Sequence, residues 1–320
     1  MNRIPFVATA MLVGLMLGAQ PAVGQNYNIA RGLAHKAVDS ANARSAGMGQ
    51  EDGPQEAEPS VQPAALIVEQ IVEQANYVAC YQGADRRAHG KMTIVDPQGQ
   101  KLLRDLTILR RDTQPASTTD PIGDAAFVGD QKLYACFESP AEVSRMALLV
   151  HKHLDRDDDR WLYLPQADEV KRIEAADRRS SFAGSHFVYE DVVGRNISAD
   201  KHELLTTESD DNFHVVKNTP KGPAGGDFAY YKMWIHRQSF VVVQARYYDA
   251  QDKEIRRYDV LKVQKDPQYG YATVTRAKMS DLRSGGYSEM EYTAVSYNVA
   301  LPDDVFAEAS LRTAPSDYLK

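Results

Sequence analysis

Residues 161–191 read WLYLPQADEVKRIEAADRRSSFAGSHFVYED, and the organisation of the whole chain turns on this stretch. It opens on Trp161-Leu162-Tyr163-Leu164, apolar at every position, whereas a strand with one wet face would alternate. Both faces of this strand must therefore be covered, or one must look into an apolar cavity. Pro165 stops the ladder, because its nitrogen has no hydrogen to donate. A short charged strand follows, Glu169-Val170-Lys171-Arg172-Ile173, and then a polar loop. The third predicted strand is Phe182-Ala183-Gly184-Ser185-His186-Phe187-Val188-Tyr189. The outer two segments are aromatic-rich and nearly uncharged, and the stretch between them is heavily charged.

On either side of this stretch the chain is punctuated like an antiparallel sheet. Met92–Val95 and Leu102–Leu109 flank Asp96-Pro97-Gln98-Gly99-Gln100, a hairpin turn with glycine available for a left-handed position. Further strands are predicted at 132–137, 145–151, 201–207, 213–218, 228–235, 239–248, 254–263, 271–279 and 287–297. Short strands at regular spacing, with turn residues between them, indicate a curved antiparallel sheet or barrel. The helical signal is confined to 63–79, a short turn at 140–144 and the segment 303–311. In the first of these, Leu66, Ile67, Ile71, Val72 and Ala75 recur at helical spacing, with Glu69, Gln70, Glu73 and Gln74 opposite.

The first 24 residues have the pattern of a cleaved leader: Arg3, an apolar run from Phe6 to Ala19, then Ala22-Val23-Gly24 before the expected cut. Residues 25–62 are polar and read as a flexible segment, 63–311 as one domain, and 312–320 as a tail. The expectation is an exported, periplasmic, monomeric protein. Across the chain 37 Lys and Arg stand against 44 Asp and Glu, an acidic balance that argues against nucleic acid as a partner. Cys80 and Cys136 either close a disulfide, as an oxidising compartment permits, or remain two thiols; the sequence leaves both open.

Catalytic patterns are weak. No Gly-x-Ser-x-Gly nucleophile turn occurs. Ser185 and His186 are neighbours on a predicted strand, so their side chains should point to opposite faces. His151 and His153 share a strand face, and Asp155, Asp157 and Asp159 take the first, third and fifth positions of a calcium loop, but Arg160 stands where glycine is needed and Gln166 where the bidentate glutamate belongs. Glu190-Asp191 and Asp303-Asp304 read as structural acids that cap loops or pair with Arg178, Arg179 or Arg195. No cofactor is indicated.

Trp161-Leu162-Tyr163-Leu164-Pro165, then Lys171-Arg172-Ile173, then Ser181-Phe182-x-Gly184-Ser185-x-Phe187-x-Tyr189-Glu190-Asp191 together resemble the LolA-like outer membrane lipoprotein-sorting family. Gly129–Leu133, Phe137–Val143 and Leu301–Phe306 extend the resemblance over roughly residues 65–310. It implies an incomplete antiparallel β-barrel covered by helices. It also implies a cavity for lipid or lipoprotein acyl chains, transient membrane contact and a possible RND-type inner-membrane transporter as partner. The expected cavity lining is Leu106, Ile108, Phe137, Leu148, Trp161, Tyr163, Phe187, Tyr189, Met233, Ile235 and Val243, with Arg172 and Arg195 at the rim or lid. The competing readings are an accessory protein of a lipid exporter that carries nothing itself, and a lipid hydrolase using His151, His153 or His186.

Overall fold

The computed structural model describes residues 66–113, 129–222 and 227–319, so the leader and the polar segment 25–62 lie outside the described residues. Thirteen described strands form one antiparallel sheet. They are β1 (Asp85–Val95), β2 (Lys101–Asp112), β3 (Gln131–Ser139), β4 (Ala147–Lys152), β5 (Asp159–Leu164), β6 (Glu169–Arg172) and β7 (Asp200–Leu204). Then follow β8 (Phe213–Pro220), β9 (Tyr230–His236), β10 (Val242–Tyr248), β11 (Glu254–Lys265), β12 (Ala272–Asp281) and β13 (Gly286–Tyr297). The sheet order is β6-β5-β4-β3-β2-β1-β13-β12-β11-β10-β9-β8-β7. One meander runs outward from β1 to β6, and a second returns from β7 to β13, which pairs with β1. β6 and β7 are the two free edges, so the barrel stays open.

Residues 173–199 connect those edges and cross the inner face of the sheet; they are called the strap below. The third predicted strand lies in this strap, and the structure corrects it. Phe182–Val188 is a chain of turns with one isolated bridge, Ser181 to Val188, leading into helix α2 (Tyr189–Val193). The cause is local. Ala183 and Gly184 both sit at positive φ (53° and 73°), which turns the chain. The Ser185 hydroxyl then donates to Phe182 O (2.7 Å), so these backbone groups need no strand partner.

The all-apolar Trp161–Leu164 strand does have both faces covered. Leu162 packs toward the inner cluster, while Tyr163, with Trp161 beside it, packs toward an outer one. β3 and β4 show the same division. Leu133, Ala135, Phe137, Leu148 and Val150 point inward, where Phe182, Phe187 and Tyr189 of the strap cover them. Tyr134, Cys136, Ala147 and Leu149 point outward onto Leu301, Val305, Phe306 and Leu311 of the C-terminal segment, which holds α3 (Ala309–Arg312). Each apolar side chain of a few methylenes hidden in this way contributes about 1.5–3 kcal/mol.

Helix α1 (Val68–Asn76) is shorter than the 63–79 periodicity suggested and widens into a π-turn at Tyr77–Tyr81. Ile71, Val72 and Ala75 bury against Val216 and Ile235, but Leu66 and Ile67 lie before the first turn and stay exposed. Pro63 falls outside the described residues. Two strands are longer than the apolar pattern indicated: β1 begins at Asp85 and β2 runs on to Asp112.

Candidate functional site

Between the strap, α1 and the inner faces of β1, β2 and β9–β13 lies a cavity of about 550 Å³. That is within the roughly 300–1,000 Å³ of pockets that enclose small ligands. Its floor is apolar and soft: Met279, Met290, Ala245, Ala277 and Val274. Tyr231, Tyr247, Tyr258 and Tyr292 supply the rest of that wall. Burial pushes the Tyr247 and Tyr258 phenols well above their ordinary range, so both stay neutral.

The roof is held by ion pairs. Arg195 donates to both carboxylate oxygens of Asp200 (2.7 and 2.6 Å) and to Glu190 (2.6 Å). Tyr231 Oη donates to the same Asp200 (2.8 Å), whose side chain is 0% exposed. Burial disfavours the Arg195 cation, but the Asp200 hydrogen bonds and the charges of Glu190 and Asp200 outweigh it and raise its pKa. Arg179 also reaches Glu190 (3.2 Å) and lies over the Phe228 ring at 4.1 Å. Arg256 of β11 pairs with Asp191 and donates to His186 O at 3.0 Å. Asp191 in turn accepts from Val188 N (2.8 Å), which fixes the start of α2. The sequence suggested arginine partners for Glu190, and the strap is where they meet.

A second group of charges lies in a buried corner of the same cavity. Arg86 and Arg110 are direct cross-strand partners on β1 and β2, and both line the wall with Cys80. Burial raises the Cys80 thiol pKa, but Arg110, Lys152 and Arg86 outweigh it and bring the thiol below its ordinary value. Gly194 makes room for this sulfur: a Cβ there would stand 2.9 Å from Cys80 Sγ.

Of the residues expected from the sequence, Ile108, Phe187, Met233 and Arg195 line this cavity. Leu106, Phe137, Leu148 and Tyr189 sit in the packed core beside the strap. Trp161 and Tyr163 face the opposite side of the sheet, against the C-terminal segment. Ile235 lies beneath α1, and Val243 packs with Phe213 and Trp234. Arg172 is at neither rim nor lid: it pairs with Asp159 (2.5 Å) and lies over Trp161 on edge strand β6. The two cysteines are unpaired thiols; Cys80 faces the cavity, while Cys136 points into the outer cluster. Sequence reading missed Arg179, Glu190, Asp191 and Arg256 as cavity residues, and it missed Arg86 and Arg110 altogether.

The histidines considered for hydrolysis are otherwise engaged. His186 Nδ1 faces Ser288 Oγ (2.9 Å), away from the Ser185 hydroxyl and its Phe182 carbonyl. His151 Nε2 lies 2.9 Å from Phe306 O, and His153 bridges Asp130 and Asp159 at 3.0 and 3.1 Å.

Solved structures of similar fold include three from different bacteria. A DUF1329 family protein from Desulfovibrio piger shares 22% identity, with 76% of this chain and 98% of that one covered and a TM-score of 0.65. An outer membrane lipoprotein-sorting protein domain from Vibrio parahaemolyticus shares 19%, with 76% and 97% covered and a TM-score of 0.65. A LolA superfamily protein from Nitrosomonas europaea shares 18%, with 77% and 99% covered and a TM-score of 0.56. At these identities the likeness shows the fold. A search of curated proteins gave no match. A family model described as "Uncharacterized protein" matches residues 129–313, more than half of the chain. The chain therefore belongs to that family, and its open, strapped sheet is LolA-like.

Proposed function

We propose that the protein is an exported carrier that takes up lipid or lipoprotein acyl chains and moves them toward the outer membrane. The observation that carries this reading is the cavity of about 550 Å³, floored by methionine, alanine and tyrosine and roofed by ion pairs. Hiding an acyl chain from water is worth about 0.8 kcal/mol per methylene, or roughly 8 kcal/mol for ten. A protein cavity on that scale competes with a bilayer without any covalent step. The strap and α1 act as the lid, and release requires a tighter acceptor. Leu102 and Leu103 at the β1–β2 hairpin tip are 59% and 66% exposed, which suits brief contact with a membrane. Among the described residues no helix is long and apolar enough to cross one. An RND-type transporter as donor is part of the proposal and rests on the family resemblance.

The test is to delipidate the purified protein and titrate a fluorescent acyl probe, with native mass spectrometry of the undelipidated protein alongside. Stoichiometric probe uptake and co-purified lipid are expected. A protein that purifies without lipid and takes up no probe would end the proposal.

A further inference from the structure

We infer that the Arg86–Arg110 corner of the cavity binds the oxyanion headgroup of a single-chain amphiphile, so that the cargo enters headgroup first. This deepens the carrier reading and rests on it. Two arginines directly opposite each other on neighbouring strands repel, and a fold places them so only at a cost. Here the cost is compounded by burial, because Arg110 is 6% exposed. Its Nη2 donates to Val192 O (3.0 Å), but among the described residues its Nε and Nη1 have no nitrogen or oxygen partner, and only the Cys80 sulfur stands beside the guanidinium. Buried charged donors without partners are among the most expensive features a protein carries.

The nearby acids are turned elsewhere. Asp112 accepts from Gln131 (2.7 Å), and Asp85 accepts from the backbone N–H groups of Val299 and Leu301 (2.6 and 2.8 Å). Neither arginine forms an ion pair among the described residues. A third basic group, Lys152, is 3% exposed and acts on the same corner; burial and Arg110 lower its pKa, while Cys80 raises it. The same three groups lower the Cys80 thiol pKa against the effect of its burial. An entering carboxylate or phosphate monoester would meet these groups with the geometry guanidinium favours.

The apolar floor adjoins this corner: Tyr292 stands beside both arginines, and Met290 lies against Gly90 on β1. A hydrocarbon tail can therefore continue from the headgroup site across the methionines. The acyl chains of a lipoprotein end in methyl groups and have nothing to offer buried arginines. A free fatty acid or an alkyl phosphate does.

The experiment is displacement of the bound acyl probe from delipidated protein by hexadecanoate, hexadecyl phosphate, hexadecanol, acetate and inorganic phosphate. The two anionic amphiphiles separate a carboxylate cargo from a phosphate one. At least one of them should bind about tenfold or more tightly than hexadecanol, the scale of one charge-assisted hydrogen bond. In Arg110→Met that preference should collapse while hexadecanol still binds, and the ligand-free melting temperature should not fall. Arg86→Gln provides the same test should Arg110→Met fail to fold. Equal binding of acid and alcohol would overturn the headgroup site and leave the carrier reading standing. Binding of neither would remove both. Displacement by inorganic phosphate as effective as by hexadecyl phosphate would also overturn it, since it would mark a small-anion site without a tail.

Discussion

Replacing Arg195 with methionine tests what holds the roof down. Arg195 makes three charge-assisted hydrogen bonds of 2.6–2.7 Å, two to Asp200 and one to Glu190. The Asp200 side chain is completely buried, and without Arg195 it would keep only the Tyr231 hydroxyl at 2.8 Å. An uncompensated carboxylate of this kind costs about 3–5 kcal/mol, whereas an exposed surface pair would cost under about 1. Methionine keeps an apolar stem of similar length, and the guanidinium it removes lies 6.0 Å from the Phe228 ring centroid, at the outer limit of a cation–π contact, so that contact contributes little. Urea unfolding should show this loss, and hydrogen exchange should show faster amide exchange across residues 185–200. Adding Asp200→Asn should recover most of the loss, since an amide still accepts from Tyr231 and buries no charge. The reasoning is refuted if Arg195→Met costs less than about 1 kcal/mol and leaves strap exchange unchanged. Phe182, Phe187 and Tyr189, with the Arg256–Asp191 pair, would then hold the strap.

Ala277→Phe should place a ring in the cavity and abolish acyl-probe uptake with stability changed by no more than about 1–2 kcal/mol; Leu148→Ala, in the packed core, should do the reverse, losing about 2–5 kcal/mol with affinity kept. His214, buried with its Nδ1 unpartnered and near Arg237, has its pKa lowered to about 4, chiefly by burial. Between pH 6.5 and 4 the unfolded chain binds the proton and the folded chain does not. Stability should therefore fall on acidification through that window, by roughly 2–4 kcal/mol, and His214→Gln should flatten the urea midpoints over it. The two thiols should differ in alkylation: Cys80 reacts below the usual thiol pH range and later in Arg110→Met, while Cys136, raised to about 11 mainly by burial, reacts only on unfolding. Equal rates for the two thiols would contradict the charge assignment.

The fold was largely legible because strands with both faces covered have a plain signature. Trp161–Leu164, with no polar position, required a layer on each side, and the C-terminal segment and the strap are those layers. The strap itself was read as a strand, because Phe182, Phe187 and Tyr189 at such spacing look like sheet residues. Two positive-φ residues and one serine hydroxyl decide otherwise, and neither leaves a hydrophobic pattern. The cavity was legible in kind but not in position. Apolarity marks a buried side chain without saying whether it meets protein or a hollow, so Leu148 and Met233 looked equivalent although one is core and the other wall. Arg86 and Arg110 were hidden for the opposite reason. They lie in the charged ends of β1 and β2, which read as loop, and only the sheet register turns both inward.

On the carrier proposal, the open edge gives this architecture a wall that can move. β6 and β7 are short edge strands, Glu169–Arg172 and Asp200–Leu204, and they do not pair with each other. Closing the barrel would require breaking no ladder, only bringing these edges together, and the strap occupies the place where that would happen. Among the described residues the isolated bridge of the strap, Ser181 to Val188, is internal to it, and between its two ends the strap is tied to the sheet by side chains, chiefly Arg195 to Asp200 and Asp191 to Arg256. Segments tied in this way open locally at lower free energy than ladder strands, which must give up many backbone hydrogen bonds at once. Each tie also joins a charge on the strap to one on β7, β11 or the strap itself, so an opened roof exposes charges to water, where they are well solvated. Movement at the strap is therefore inexpensive where movement in the sheet is not. The entry route of the proposed cargo is therefore expected at the strap, with the β1–β4 core, packed on both faces, staying closed.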